Sequence, residues 1–242
     1  MAQLIAIDNK NHLNLKVDAS KAELHGANLH LVPAVMSEFS NMAVQYPLMI
    51  TKHADTGQFV CAGMLGFEAG ENLFWQEGEW QGLYLPLQIR RQPFFLGNPE
   101  ESATQVASGD YVVCFDSDSP AISADEGQPL FNENGTDTEC FQEAKSCLVQ
   151  LLQGELANKK LVEMLEKMQL LQVMKMEITF ANQQSTTLNG LYTVNEEKLA
   201  ALPEEKIAIL HKAGLLPAIY ALIISLGQMH NLINLKNKRL AY

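Results

Sequence analysis

Between Gln92 and Ala144 the chain has no lysine and no arginine, while the same stretch holds eleven aspartates and glutamates. Basic residues are scarce overall, 17 against 28 acidic ones, for a formal net charge of -11. Nucleic-acid binding depends on Lys and Arg displacing counterions, so such a surface repels a phosphate backbone over most of its area and nucleic acid is excluded as a partner. Cysteine is equally sparse: Cys61, Cys114, Cys140 and Cys147 form no C-x-x-C pair and no metal-ligand spacing. Cys140 and Cys147 share a predicted helix about 10 Å apart, at roughly 1.5 Å rise per residue, which is beyond disulfide reach. All four read as buried free thiols of a reducing cytosol.

Long apolar runs are also missing. The longest, Leu215 to Gly227, falls short of the roughly 18 residues of a membrane span and reads as a buried helix. The opening MAQLIAIDNKNHLNL has no basic stretch leading into an apolar run and no small-residue cleavage site, so it does not read as a secretory signal. The expected location is the cytoplasm, with no transmembrane segment.

Motifs that carry chemistry are absent in turn. The histidines form no H-E-x-x-H, H-x-H or facial-triad spacing, and no G-x-S-x-G marks a nucleophile. GMLGFEAG lacks both the G-x-G-x-x-G order and a Walker lysine. DSDSPAISADEG resembles a calcium loop until its sixth and twelfth positions, Ala121 and Gly127, where Gly and Glu are required; it reads as a solvated acidic loop. Cys114 lies in an apolar run without the positive field that stabilises a thiolate. No catalytic residue or metal ligand is assigned, and the cofactor is left unknown.

What is present is ample core material, 47% of 242 residues, read as one domain over 1–242 with residues 1–26 as an N-terminal extension or edge element. Val35, Phe39, Met42 and Ala43 have helical spacing. PLMITK and QFVCAGMLGF flank HADTG as a β-hairpin, Ser102 to Gly109 is a polar break, and YVVCFD is a short central strand with Asp116 at its end. Residues 139–172 and 195–235 are mainly helical, Gly154 marks a break, and Asn189-Gly190 turns one strand into the next. The sum is an α+β fold, mostly antiparallel sheet with a helical C-terminal part. The last helix is expected to serve the core or a homo-oligomer contact.

One basic island interrupts this pattern: YLPLQIRRQPFFLG, residues 84–97. The planar fork of arginine favours carboxylate or phosphate, and Tyr84, Phe94 and Phe95 offer stacking surface. In an extended segment Arg90 and Arg91 would point to opposite faces, so at most one faces a given pocket and the other faces solvent or an acidic loop; the alternative is that one pairs internally with a carboxylate such as Asp116 and fixes two loops together. Arg90, Arg91, Tyr84, Phe94 and Asp116 are therefore the candidate ligand- or partner-binding residues.

Together, LVPAVMSEFSNMAVQYP, the run from LGFEAGENLFW to RRQPF, YVVCFD, GQPLFNENG and GLYTVNEEKL resemble the SapC-like family, bacterial proteins named for an S-layer gene cluster. The resemblance runs in order from about Ala27 to Leu235. The family's Tyr-x-Pro and Arg-Arg-Tyr-Pro-Phe motif falls on Tyr84, Pro86, Arg90, Arg91, Pro93 and Phe94, with Gln92 in place of the usual tyrosine. It implies a cytoplasmic, non-enzymatic accessory protein that binds a protein or peptide, assisting surface-layer biogenesis or halogenase- and cupin-type oxygenase enzymes. Two rivals are an enzyme or small-ligand binder with an anionic-ligand pocket at Arg90 and Arg91, and an envelope-associated structural protein.

Overall fold

The structure, a computed structural model, describes residues 3–53, 55–97 and 111–241, so the polar break at 102–109 lies outside the described residues. Helix makes up 39% and strand 25% of the chain, and the described strand pairings are antiparallel, which makes the fold α+β. The chain divides into two compact units, Met1–Gly26 with Leu87–Leu152, and Ala27–Pro86 with Gln153–Tyr242.

In the first unit Val112–Asp116 is the central strand of three, between Leu4–Ala6 and Phe94–Gly97. Its four buried residues in succession are what a strand covered on both faces requires. Phe94 and Phe131 lie 5.8 and 5.3 Å from the Phe141 ring, and Ile7, Val17 and Phe115 join the same core. The first 26 residues thus supply an edge strand and core side chains, and Ala19–Gly26 adds a 3-10 helix.

The second unit is built on a five-stranded sheet in the order Leu171–Thr179, Ser185–Val194, Leu48–Lys52, Phe59–Met64, Leu31–Pro33. The hairpin expected around HADTG is present, with Leu48 opposite Gly63 and Ile50 opposite Cys61. Asn189-Gly190 is a correction: it lies inside the strand Ser185–Val194 and does not reverse the chain. A two-residue type I′ turn needs both central residues left-handed; only Gly190 is, at φ 74°, and the pairing register instead shifts between Met174 and Met176. The chain reverses at 181–184, where Gln183 takes φ 69° and Phe180 N donates to Gln184 O at 2.8 Å.

Gly154 is a second correction. The helix Glu139–Lys167 passes through it unbroken, and a Cβ there would sit 2.4 Å from Val35 Cβ. Glycine is present to let the helix approach the segment before Met36–Glu38 and Phe39–Met42, the two successive turns that stand where the spacing predicts a short amphipathic helix. Four residues on, Asn158 accepts from Met36 N at 2.8 Å and donates to Ala34 O at 2.7 Å. Gly154→Ala should therefore destabilise the protein by about 1 kcal/mol, because overpacking of about 1–3 kcal/mol exceeds the helix-propensity gain of about 1. A raised thermal midpoint in this variant would contradict the close approach.

At the C-terminal end Asn195 caps its helix by accepting from Lys198 N at 2.8 Å. Leu216–Ser225 is followed by a 3-10 turn and Met229–Leu240, so helical structure continues past the end of the apolar run at Gly227. The 25 residues Leu216–Leu240 contain a window of mean hydropathy 1.4 and have the length and composition of a membrane span. Within the unit they are docked: Ile219 and Leu222 are buried, Leu48 N donates to Ser225 Oγ at 2.9 Å, and Lys236 Nζ reaches Glu71 at 2.7 Å. Arg239 Nη2 donates to the carbonyls of Asn72 and Trp75, both at 3.0 Å.

Candidate functional site

The basic island is not extended. Leu87–Arg90 is a single helical turn held by the buried side chains of Leu87 and Ile89, and the Gln92–Pro93 peptide that follows is cis. Arg91 lies just past the turn, its N donating to Leu87 O at 2.9 Å. Its Nε donates to Gln88 Oε1 at 2.8 Å, its Nη1 to Phe94 O at 2.7 Å, and its guanidinium stacks 4.2 Å from the Phe95 ring centroid. These contacts tie the turn to the strand Phe94–Gly97. Arg91→Ala should cost about 2 kcal/mol in urea denaturation, the sum of charged hydrogen bonds and a cation–π contact, whereas Arg90→Ala should stay within about 0.5 kcal/mol. Equal effects from the two variants would remove the distinction.

Arg90 is exposed and lines a pocket of about 380 Å³. Cys140, Glu143, Cys147 and Gln150, spaced 3-4-3 along the helix Glu139–Lys167, form one wall, and Gln92 and Phe94 belong to the same lining. The Arg90 guanidinium makes no ion pair or hydrogen bond to a described residue. Gln92 Oε1 is buried and has no hydrogen-bond partner among the described residues. The surroundings disfavour a Cys140 thiolate, since burial and then the Glu143 charge push its pKa up, and Cys147 is buried with Sγ 3.7 Å from Leu87 O. In the other unit burial alone raises Cys61 to about 12.

Asp116 stands at the end of the central strand, and its Oδ1 accepts from Gln3 N at 3.2 Å and Asp118 N at 3.1 Å. Beside it, His25 Nε2 lies 3.3 Å from Ser119 Oγ. Burial holds the His25 pKa down and Arg91 adds to this, while Asp116 opposes both. The Ser, His and Asp types invite comparison with a hydrolytic triad. Ser119 is only 5% exposed, however, and Ala121 N donates to its Oγ at 3.3 Å, so the trio pins the 3-10 helix to the acidic turn. That turn is closed internally, with Ser123 Oγ accepting from Asp125 N and Glu126 N at 3.0 Å each. Among the described residues no three His, Cys, Asp or Glu side chains are grouped as a metal site.

Tyr84 belongs to the second unit, while Arg90, Arg91, Phe94 and Asp116 belong to the first. Its hydroxyl donates to Glu38 Oε2 at 3.1 Å, and its carbonyl accepts from Tyr46 OH at 2.6 Å. Glu38 is 1% exposed and its Oε1 accepts from Val35 N at 3.0 Å, so Tyr84 is part of a buried structural network. Sequence reasoning missed Gln92 and Glu143 as pocket residues. The 3-4-3 spacing around Glu143 was the available signal, but it does not say which other segment the helix face meets.

Residues 7–232 match the family model of SapC. The chain belongs to the SapC family. No curated protein and no solved structure matches it. The match spans both units of this SapC chain and includes the basic island, the pocket helix and the Glu38–Tyr84 network.

Proposed function

We propose that this SapC chain is a non-enzymatic, cytoplasmic binding protein that takes a carboxylate-bearing segment of a protein or peptide partner on Arg90. The observation that carries this reading is the division between the arginines: Arg91 is engaged with Gln88, Phe94 and Phe95, while Arg90 stands at a pocket with no partner among the described residues. A guanidinium left unpaired at a concave surface is suited to a carboxylate, which it grips through two parallel hydrogen bonds. The family resemblance supports an accessory role toward surface-layer biogenesis or halogenase- and oxygenase-type enzymes.

The test is isolation of the native complex with the wild-type chain and with Arg90→Ala, after showing that both unfold at the same urea concentration. The complex should be retained by the first and lost by the second. A wild-type chain that isolates alone, or a complex indifferent to Arg90→Ala, would sink the reading. Fractionation tests the location: release from the envelope fraction by chelator would favour an envelope-associated role instead. If no protein partner appears, screening carboxylates, phosphates, flavins and divalent metals for a raised melting temperature tests the small-ligand rival.

A further inference from the structure

Resting on that reading, we propose that the pocket recognises an amino-acid unit, a carboxylate with a nitrogen donor one carbon away, supplied by the C-terminal residue of a partner or by a free amino acid. Arg90 and Glu143 line the same cavity and do not form an ion pair with each other. A cavity of 380 Å³ is about 9 Å across if rounded, so a ligand of amino-acid size spans it. The cation takes the carboxylate and the anion takes the nitrogen.

This charge pair also decides against other ligands. Phosphate would meet Arg90 but would set a second anion against Glu143 in a chain of net charge -11. A simple cation would meet Glu143 and be repelled by Arg90. A unit carrying both an anionic and a donor group satisfies each wall at once.

Gln92 supplies an independent observation. Its Oε1 is a buried acceptor without a donor among the described residues, and the residue that carries it lines the same pocket. An unmet buried acceptor is costly, and the terminal torsion of glutamine is soft, so an arriving N–H turns the amide and gives it a partner. Ser146 and Gln150 add further hydrogen-bonding groups at the wall. Phe94, Val17 and Ala144 provide apolar surface for the ligand's own side chain.

The test is equilibrium dialysis of the full chain against three pools, read by mass spectrometry. The pools are the free amino acids, N-acetylated tetrapeptides of mixed sequence with a free carboxyl, and the same tetrapeptides as C-terminal amides. Retention from the first pool identifies a free amino acid, and from the second a C-terminal residue; the amidated pool should not be retained. Arg90→Ala should weaken retention about tenfold or more, and Gln92→Leu should weaken it severalfold. Glu143→Gln should weaken free amino acids more than acetylated peptides, since only the former carry an ammonium. Equal retention of amidated peptides, or no retention from any pool by the folded wild type, overturns the inference. Loss of the native complex in Arg90→Ala without retention of any pool removes this inference and leaves the broader reading standing. Pool retention with a complex indifferent to Arg90→Ala does the reverse.

Discussion

Replacing Lys236 with methionine is expected to lower stability by about 3 kcal/mol. The Lys236 side chain is 9% exposed, and its ammonium sits 2.7 Å from Glu71, whose side chain is 12% exposed, and 3.3 Å from the more open Glu68. Removing it strands the Glu71 carboxylate, which also accepts from Phe67 N at 2.9 Å and so cannot simply turn to solvent. Glu68, at 67% exposure, contributes little because water screens it. The double variant Lys236→Met with Glu71→Leu should recover much of the loss, since a buried pair replaced by apolar groups is often near neutral. Urea denaturation of the two variants decides: a single-variant loss below about 1 kcal/mol would mean that the pair is solvated.

The pair also sets an alkaline limit. Burial pulls the Lys236 pKa down, but the hydrogen bond and charge of Glu71, joined by Glu68, outweigh it and raise the group above its ordinary 10.5. A raised lysine pKa adds stability that is complete below the unfolded value and is lost as pH rises through the folded one. Wild type should therefore lose stability above about pH 10.5 more steeply than Lys236→Met. Parallel curves would contradict the assignment.

Tyr46→Ala is expected to cost about 4 kcal/mol, the range for emptying a large buried aromatic site. The side chain is fully buried, and its ring meets Phe74 edge-on at 4.7 Å. Its hydroxyl accepts from Trp80 Nε1 at 3.2 Å and donates to the Tyr84 carbonyl at 2.6 Å, in surroundings that push the phenol pKa far up through burial. Tyr46→Phe should cost only about 1 kcal/mol, because Trp80 Nε1 also lies 3.3 Å from the Tyr84 carbonyl and keeps that acceptor partnered. If the two variants lose equal stability, the hydroxyl network and not the ring supports this region.

Local signals were legible where one force dominates. The run around Val113 and Cys114 reads as a buried central strand because apolar residues follow one another. Asn189-Gly190 and Gly154 were misread because glycine marks a backbone need without saying which: a bulge in one case, a close approach in the other. The arginine pair stood out as a positive island, but which member faces the pocket depends on a helical turn that the flanking prolines conceal. Gln92 and Glu143 are separated by a long acidic stretch, and only tertiary packing brings them to one cavity.

The anchoring of the last helix has a consequence for the order in which the protein is made. Glu71 lies 165 residues before Lys236, and Leu48 lies 177 before Ser225. At roughly 5–20 residues per second, a ribosome takes about 10–30 s to supply Lys236 after Glu71 has emerged. The second unit is thus completed only once residues far downstream have been synthesised, and a nascent chain halted short of them carries the loop before Trp75 without this clasp.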